Sequence, residues 1–340
     1  MTTVAIPREF IWRRVHSLMG LWLVIFLIEH LLTNSQAALL LGDNGRGFVQ
    51  MVNAIHNLPY LEVVEVLLLG VPLAIHAVWG IQYLRTAKAN SCKSDGSKPS
   101  LKEYRRNRAY SWQRITSWIL LIGIIGHVAK FRFIDYPISV HQGTESIYCV
   151  RLSVDDGLYT VAARLGVQLY GKEDIDKIRQ DITSRADEHA LVELSSNLRQ
   201  EEKFDPYLGV QQEEFDPQKE VIFTAAQKYL QSRAWLHAIE KRPITEQQVI
   251  AATSNFGTAS LLSVRDTFKS PVYVVLYTVF VLAACFHAFN GFWTFLVTWG
   301  FVIKRASQKS MASVAVALML ALMFLGLAAV WGTYWLNLKM

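Results

Sequence analysis

Five mostly apolar stretches, near positions 18–34, 63–84, 112–129, 272–303 and 312–336, constrain this chain more than any other feature. A helix crossing about 30 Å of hydrocarbon needs about 20 predominantly apolar residues, within a few either way, and each stretch fits that requirement. Between the third and the fourth lies a block of ordinary polar sequence. The overall figure of 52% hydrophobic residues therefore averages two materials, a five-helix membrane part and a water-soluble insert. That pattern excludes a disordered chain, a secreted disulfide scaffold and a purely soluble globule. It divides the chain into 1–133, with three spans, an insert over 134–270, and 271–340, with two more spans.

Charge divides the same way. The insert holds 15 Lys and Arg against 21 Asp and Glu, a net of −6, which leaves +12 for the rest of a chain whose total is +6. Arg8, Arg13 and Arg14 precede the first span, a basic run extends from Arg85 to Arg108, and Lys304, Arg305 and Lys309 separate the last two spans. On the other side, Arg46 alone lies between the first and second spans. The positive-inside bias predicts a multi-pass protein with a cytoplasmic N-terminus, and with the C-terminus and the insert outside. Juxtamembrane charge accounts for the basic residues without a nucleic-acid partner. The first apolar stretch outruns the 7–15 residues of a signal-peptide core and is read as a retained span. Cys92, Cys149 and Cys285 are scattered and form no CxxC or CxxCH motif, so neither a zinc knuckle nor covalent haem attachment is indicated.

Four of the nine histidines, His30, His76, His127 and His287, fall inside four different apolar spans. Ionisable groups at such depth are costly and face the bundle interior. At 1.5 Å per residue, counting from Asn34 and Arg132, His30 and His127 lie about 6–8 Å from the outer boundary. Counting from Pro59 and Pro271 puts His76 and His287 about 25 Å from that boundary. Two matched pairs result, roughly 15–20 Å apart in depth. Two bis-histidine haems stacked across the bilayer are the simplest object of that geometry, since neutral imidazole is a good axial iron ligand. Gly80, Gly291 and Gly123 stand four residues from His76, His287 and His127 and share their helix faces, clearing space there. A metal transporter, a signalling protein or a proton relay would also use buried histidines. Such sites want carboxylates or thiols at the same depth, and nothing acidic accompanies His76 or His287.

The segments RRVHSLMGLWLVIFLIEHLLTN (13–34), PLAIHAVWGIQYL (72–84), QRITSWILLIGIIGHV (113–128) and FHAFNGFWTFLVTWG (286–300) carry a family resemblance. The chain resembles the cytochrome b membrane anchor of succinate:quinone oxidoreductases, in the single-chain, five-helix, two-haem form. The likeness covers the spans and short loops, about 200 residues. It implies an all-α membrane bundle holding two stacked haems b, with His30 and His127 as axial ligands of the distal haem and His76 and His287 of the proximal one. It further implies flavoprotein and iron–sulfur partners on the cytoplasmic face, and electron transfer through both haems to a quinone, menaquinone being the expected type. Succinate chemistry would belong to those partners, so this subunit is an electron-transfer anchor that contributes a quinone site. Arg13, His16, Ser17, Gln113 and Arg114 are candidates to meet haem propionates, Ser17 and Arg114 foremost. At the outer ends, Glu29, His56, Glu62 and Glu65 could pass the protons that quinone reduction consumes, and Glu65 is preferred because it lies within the second span.

Family members join the third and fourth helices by a short segment, whereas here about 135 residues intervene. The alternating runs Ile147–Val154 and Leu158–Tyr170 predict a β-hairpin. Helices are expected over Lys172–Arg199 and Pro217–Glu240, the second ended by Lys241-Arg242-Pro243, and one or two more over Thr245–Lys269. The insert is thus expected to be a small extracytoplasmic α+β domain. His189 and His237 lack companions at metal-ligand spacing.

Overall fold

A computed structural model describes residues 6–38, 44–86, 105–142, 145–184, 192–196 and 217–339. In chain order its elements are α1 (Arg8–Ser35), α2 (Arg46–His56), α3 (Leu61–Thr86), α4 (Arg106–Ile134), β1 (Ile138–Gln142), β2 (Glu145–Ser153), α5 (Asp156–Leu165), β3 (Gln168–Tyr170), α6 (Lys172–Ser184), α7 (Pro217–Glu240), β4 (Gln248–Thr253), α8 (Phe256–Thr267), α9 (Pro271–Thr298) and α10 (Arg305–Asn337). The chain forms two compact units, Met1–Ile134 with Val264–Met340, and Asp135–Ser263.

In the first unit, α1, α3, α4, α9 and α10 are each long and apolar enough to cross a membrane. They coincide with the five expected spans. Their interior is a cluster of Val24, Leu31, Phe268, Val274, Val281, Cys285, Phe289, Leu322 and Val330. Their outward faces stay apolar as well: Leu67, Ile122, Ile125 and Phe324 are all exposed. A bundle apolar inside and out has lipid as its solvent, and helices suit that solvent because each satisfies its own backbone. Pro72, inside α3, tests the rule. Proline has no N–H for the carbonyl four residues back, here Leu68, and the indole Nε1 of Trp22 on α1 donates to that oxygen instead. A π-helical turn over Val66–Gly70 precedes the proline.

The second unit is a four-stranded antiparallel sheet, order β1-β2-β4-β3. Val150 and Leu152 of β2, with Val249 and Ala251 of β4, face α5 and α8 through Leu158, Ala162, Ala259 and Leu262. Cys149, Ile250 and Ala252 face the other way, against Ile175, Ile182, Tyr229, Leu236 and Ile239 of α6 and α7.

Two expectations for the insert need correcting. A hairpin does exist, but it joins β1 to β2, with Ile138 opposite Cys149 and Gln142 opposite Glu145. Most of the run expected as its second strand is α5. Asp155 caps that helix by accepting the Gly157 N–H at 2.9 Å, and Gly166, left-handed at φ 65°, ends it. Only Gln168–Tyr170 is strand. The segment expected to be wholly helical after Thr245 contains β4. That strand is buried on both faces, so its sequence QVIAAT shows no alternation to betray it. Helix α7 has the expected bounds; Arg185–Leu191 and Asn197–Arg199 of the other expected helix lie outside the described residues, as does most of the basic run after Arg85 and with it Cys92.

Candidate functional site

The histidines assemble at two levels of the bundle. At one, the rings of His76 on α3 and His287 on α9 have centroids 6.1 Å apart and planes at 82°. At the other, His30 on α1 and His127 on α4 are 5.7 Å apart at 89°. The sequence predicted these two pairings. The spacing between the levels can be read along single helices. On α1, His16 belongs to the first level and His30 to the second, 14 residues or about 21 Å further on. On α4 the corresponding residues are Thr116 and His127, 11 residues or about 16 Å apart.

In each pair the two rings come from different helices and lie close enough that a group placed between them would be reached by one imidazole from each. Among the described residues no group of three His, Cys, Asp or Glu side chains gathers so as to hold a metal ion. The donors come as pairs, a set too small to enclose a bare ion but one that an iron already held in a macrocycle could use.

Hydrogen bonds at Nδ1 orient the rings. His76 Nδ1 lies 3.1 Å from the backbone oxygen of His16. A carbonyl can only accept, so Nδ1 carries the proton and Nε2 the lone pair. His287 Nδ1 lies 3.3 Å from Thr116 Oγ1. The Thr116 hydroxyl also lies within reach of carbonyls of its own helix, Trp112 at 2.9 Å and Gln113 at 3.1 Å; with its proton given to these, it would accept from His287 Nδ1 and leave Nε2 bare. His127 Nδ1 meets the Tyr277 hydroxyl at 3.1 Å. Metal-binding histidines are commonly held in this way through the nitrogen that does not bind.

His16 lies deeper in the site than a residue at the membrane surface. Its ring stacks on His76 at 4.1 Å and 8°, and its Nδ1 is a buried polar atom with no hydrogen-bond partner among the described residues. Ser17, the next residue, is half-buried. Arg114 reaches Leu84 O near the end of α3 at 3.5 Å. Gln113 donates to His287 O at 3.1 Å and accepts from Asn290 Nδ2 at 2.8 Å, which fixes the α4–α9 contact. Of the glycines singled out beside the histidines, Gly80 faces His16, Gly291 faces Gln113, and Gly123 packs against the ring of Phe280. The glycine that closes on an axial candidate is Gly20 of α1, where a Cβ would come within 2.9 Å of His76 Cε1.

Toward the other end of the spans, Glu65 on α3 pairs with Arg132 on α4 at 3.0 Å. His56, at the end of α2, belongs to the same group: burial and the Arg132 charge lower its pKa while the Glu65 charge acts in the opposite sense. Glu29 accepts a hydrogen bond from Thr33, one turn along α1, at 2.8 Å. Sequence reasoning missed Arg132, Thr116, Tyr277 and Gly20. A lone hydroxyl or glycine in an apolar helix carries no signal until its neighbour on another helix is known.

The chain is 32% identical over 165 residues to the succinate dehydrogenase cytochrome b558 subunit of Bacillus subtilis (strain 168), an alignment covering 48% of this chain and 71% of that protein. No family model matches it, and no solved structure does.

Proposed function

The chain belongs to the family of succinate dehydrogenase cytochrome b membrane subunits, and from that premise we propose that it is a two-haem anchor carrying electrons from flavoprotein and iron–sulfur partners to a membrane quinone, menaquinone being the expected type. The observation that carries this reading is the pairing of four intramembrane imidazoles on four helices, at 6.1 Å and 5.7 Å, on two levels. When bound, each haem b supplies a one-electron carrier inside the low-dielectric bundle.

In this reading His76 and His287 hold the haem nearer the cytoplasmic, partner-binding face, and His30 and His127 hold the distal one. The His16 carbonyl and Thr116 hydroxyl keep the first pair in the tautomer that offers Nε2 to iron. Arg114 and Ser17 lie within the cytoplasmic half of their helices, where propionate carboxylates need cationic or hydroxyl partners. At the outer side Glu65 delivers protons to the reduced quinone, with Arg132 holding its carboxylate and His56 beside them. The basic cytoplasmic face of a bacterial inner-membrane protein, N-terminus inside, would receive the soluble subunits, and the acidic unit Asp135–Ser263 would lie outside.

The test is a reduced-minus-oxidised spectrum of the purified complex with haem counted per chain. Two haems b per chain are expected; a spectrum without a haem b α-band ends the proposal. His76→Ala and His287→Ala should each remove the same haem, and His30→Ala and His127→Ala the other. Loss of the same haem by variants from both pairs, or of different haems by the two members of one pair, would break the pairing.

A further inference from the structure

We propose that Thr116 and Tyr277 are positioning residues that set the redox poise of the two iron sites, each from the helix opposite its histidine. This rests on the two-haem reading above. The arrangement is reciprocal. Thr116 of α4 meets Nδ1 of His287 on α9 at 3.3 Å, while Tyr277 of α9 meets Nδ1 of His127 on α4 at 3.1 Å. Two helices thus exchange one strap at each level of the bundle.

Each hydroxyl is held in place from its own side of the contact. Thr116 is 5% exposed and already gives its proton to the Trp112 carbonyl, so its remaining lone pair serves the histidine. Tyr277 is held by ring contacts with Phe268, Phe131 and Phe280, at 5.2, 6.2 and 6.0 Å, and cannot swing away without opening the core. For His127 to offer Nε2, its Nδ1 must donate, and the phenol oxygen is then the acceptor.

An imidazole that donates from Nδ1 is a more electron-rich ligand at Nε2. Electron density on the iron favours the ferric state and lowers the midpoint potential. Removing the acceptor leaves a buried N–H unsatisfied, weakens the donation and raises the potential of that haem alone. The strap also fixes ring rotation, which a change of ferric spectral signature would report.

The experiment uses the full chain in its membrane complex, with redox titrations followed in the visible spectrum and haem counted by a chemical assay. Thr116→Val and Tyr277→Phe keep side-chain volume while deleting the acceptor; Thr116→Ala is a second deletion should the valine disturb assembly. With both haems retained, Thr116→Val should raise the midpoint of one haem and Tyr277→Phe that of the other. Thr116→Ser, which restores the hydroxyl, should return the wild-type value. Full haem content with neither midpoint moved, or with both moved equally by each variant, overturns the strap alone. A wild-type complex without haem b overturns the strap together with the reading beneath it.

Discussion

His16 and His76 lie face to face, centroids 4.1 Å apart and planes within 8°, and the carbonyl of the first is 3.1 Å from Nδ1 of the second. One residue thus acts on an axial candidate twice, once through its ring and once through its backbone. Only the ring contact depends on the His16 side chain. The hydrogen bond that fixes the His76 tautomer survives any substitution that leaves α1 helical. His16→Phe should therefore keep both haems and change only the detail of the α-band. If haem analysis of that variant finds one haem missing, His16 is itself a ligand and the pairing of His76 with His287 is wrong.

Gly20 explains why α1 can approach α3 so closely. An alanine there would gain about 1 kcal/mol of helix propensity, but its methyl would lie 2.9 Å from His76 Cε1 and 3.2 Å from Nδ1. The ring is tethered and cannot yield without losing its bond to His16. Gly20→Ala should leave assembly intact while lowering occupancy of the His76–His287 site, and the His30–His127 haem should be untouched. Haem content per chain, with each haem told apart by potential, checks this. An unchanged pair of haems would show that the ring moves freely.

The membrane unit was legible because lipid imposes simple rules. Twenty apolar residues make a span, and a histidine among them needs a reason. Depth counted from Pro59, Pro271, Asn34 and Arg132 was enough to pair the four histidines that share two levels in the structure. The straps at Thr116 and Tyr277 stayed invisible because they depend on helix rotation, which hydropathy does not encode. In the soluble unit the hidden facts were tertiary. Leu158–Leu165 alternates well enough to pass for a strand, yet the Asp155 cap and Gly166 turn it into a helix. Conversely, Gln248–Thr253 is a strand because both of its faces are covered, by Leu158 and Leu262 on one side and by Ile239 and Leu236 on the other.

The Glu65–Arg132 pair lies toward the ends of its two spans, with side chains 40% and 35% accessible, so breaking it should leave the bundle assembled. Its effect on turnover should be much larger if Glu65 passes protons. General acid–base groups contribute roughly a hundredfold or more. Glu65→Gln should lower quinone reduction by about that factor while succinate oxidation by an artificial electron acceptor in the same complex proceeds unchanged. Equal loss in both assays would make Glu65 structural.

Helix α5 hangs on its two ends. Removing the Asp155 cap costs about 1 kcal/mol, and adding a Cβ at Gly166, whose φ is 65°, costs about 1–2 kcal/mol. Either Asp155→Ala or Gly166→Ala should weaken hydrogen-exchange protection of the α5 amides by roughly fivefold or more. The effect should be confined to this helix and its neighbours on the sheet. Unchanged protection would mean that Leu158 and Ala162, packed on the sheet, hold the helix without its caps.

Cys149 gives the soluble unit a pH dependence with a defined sign. Its side chain is buried among Ile175, Tyr229 and Ile250, and burial pushes the thiol from 9.0 up to about 11. In the unfolded chain the thiol loses its proton near the ordinary value, whereas the folded chain keeps it until about pH 11. Stability of the unit is thus unaffected by this group below about pH 9, and falls as pH rises from there toward 11. The same shift makes the sulfur unreactive. At pH 8 the thiolate fraction should be about a hundredfold lower than in the unfolded chain, before access is considered. Iodoacetamide at pH 8 should leave Cys149 unmodified in the native protein and alkylate it in denaturant, as read by mass spectrometry of the β2 peptide. Rapid native alkylation would show that β2 opens on the timescale of the reaction, and that the sheet core is not closed over Cys149.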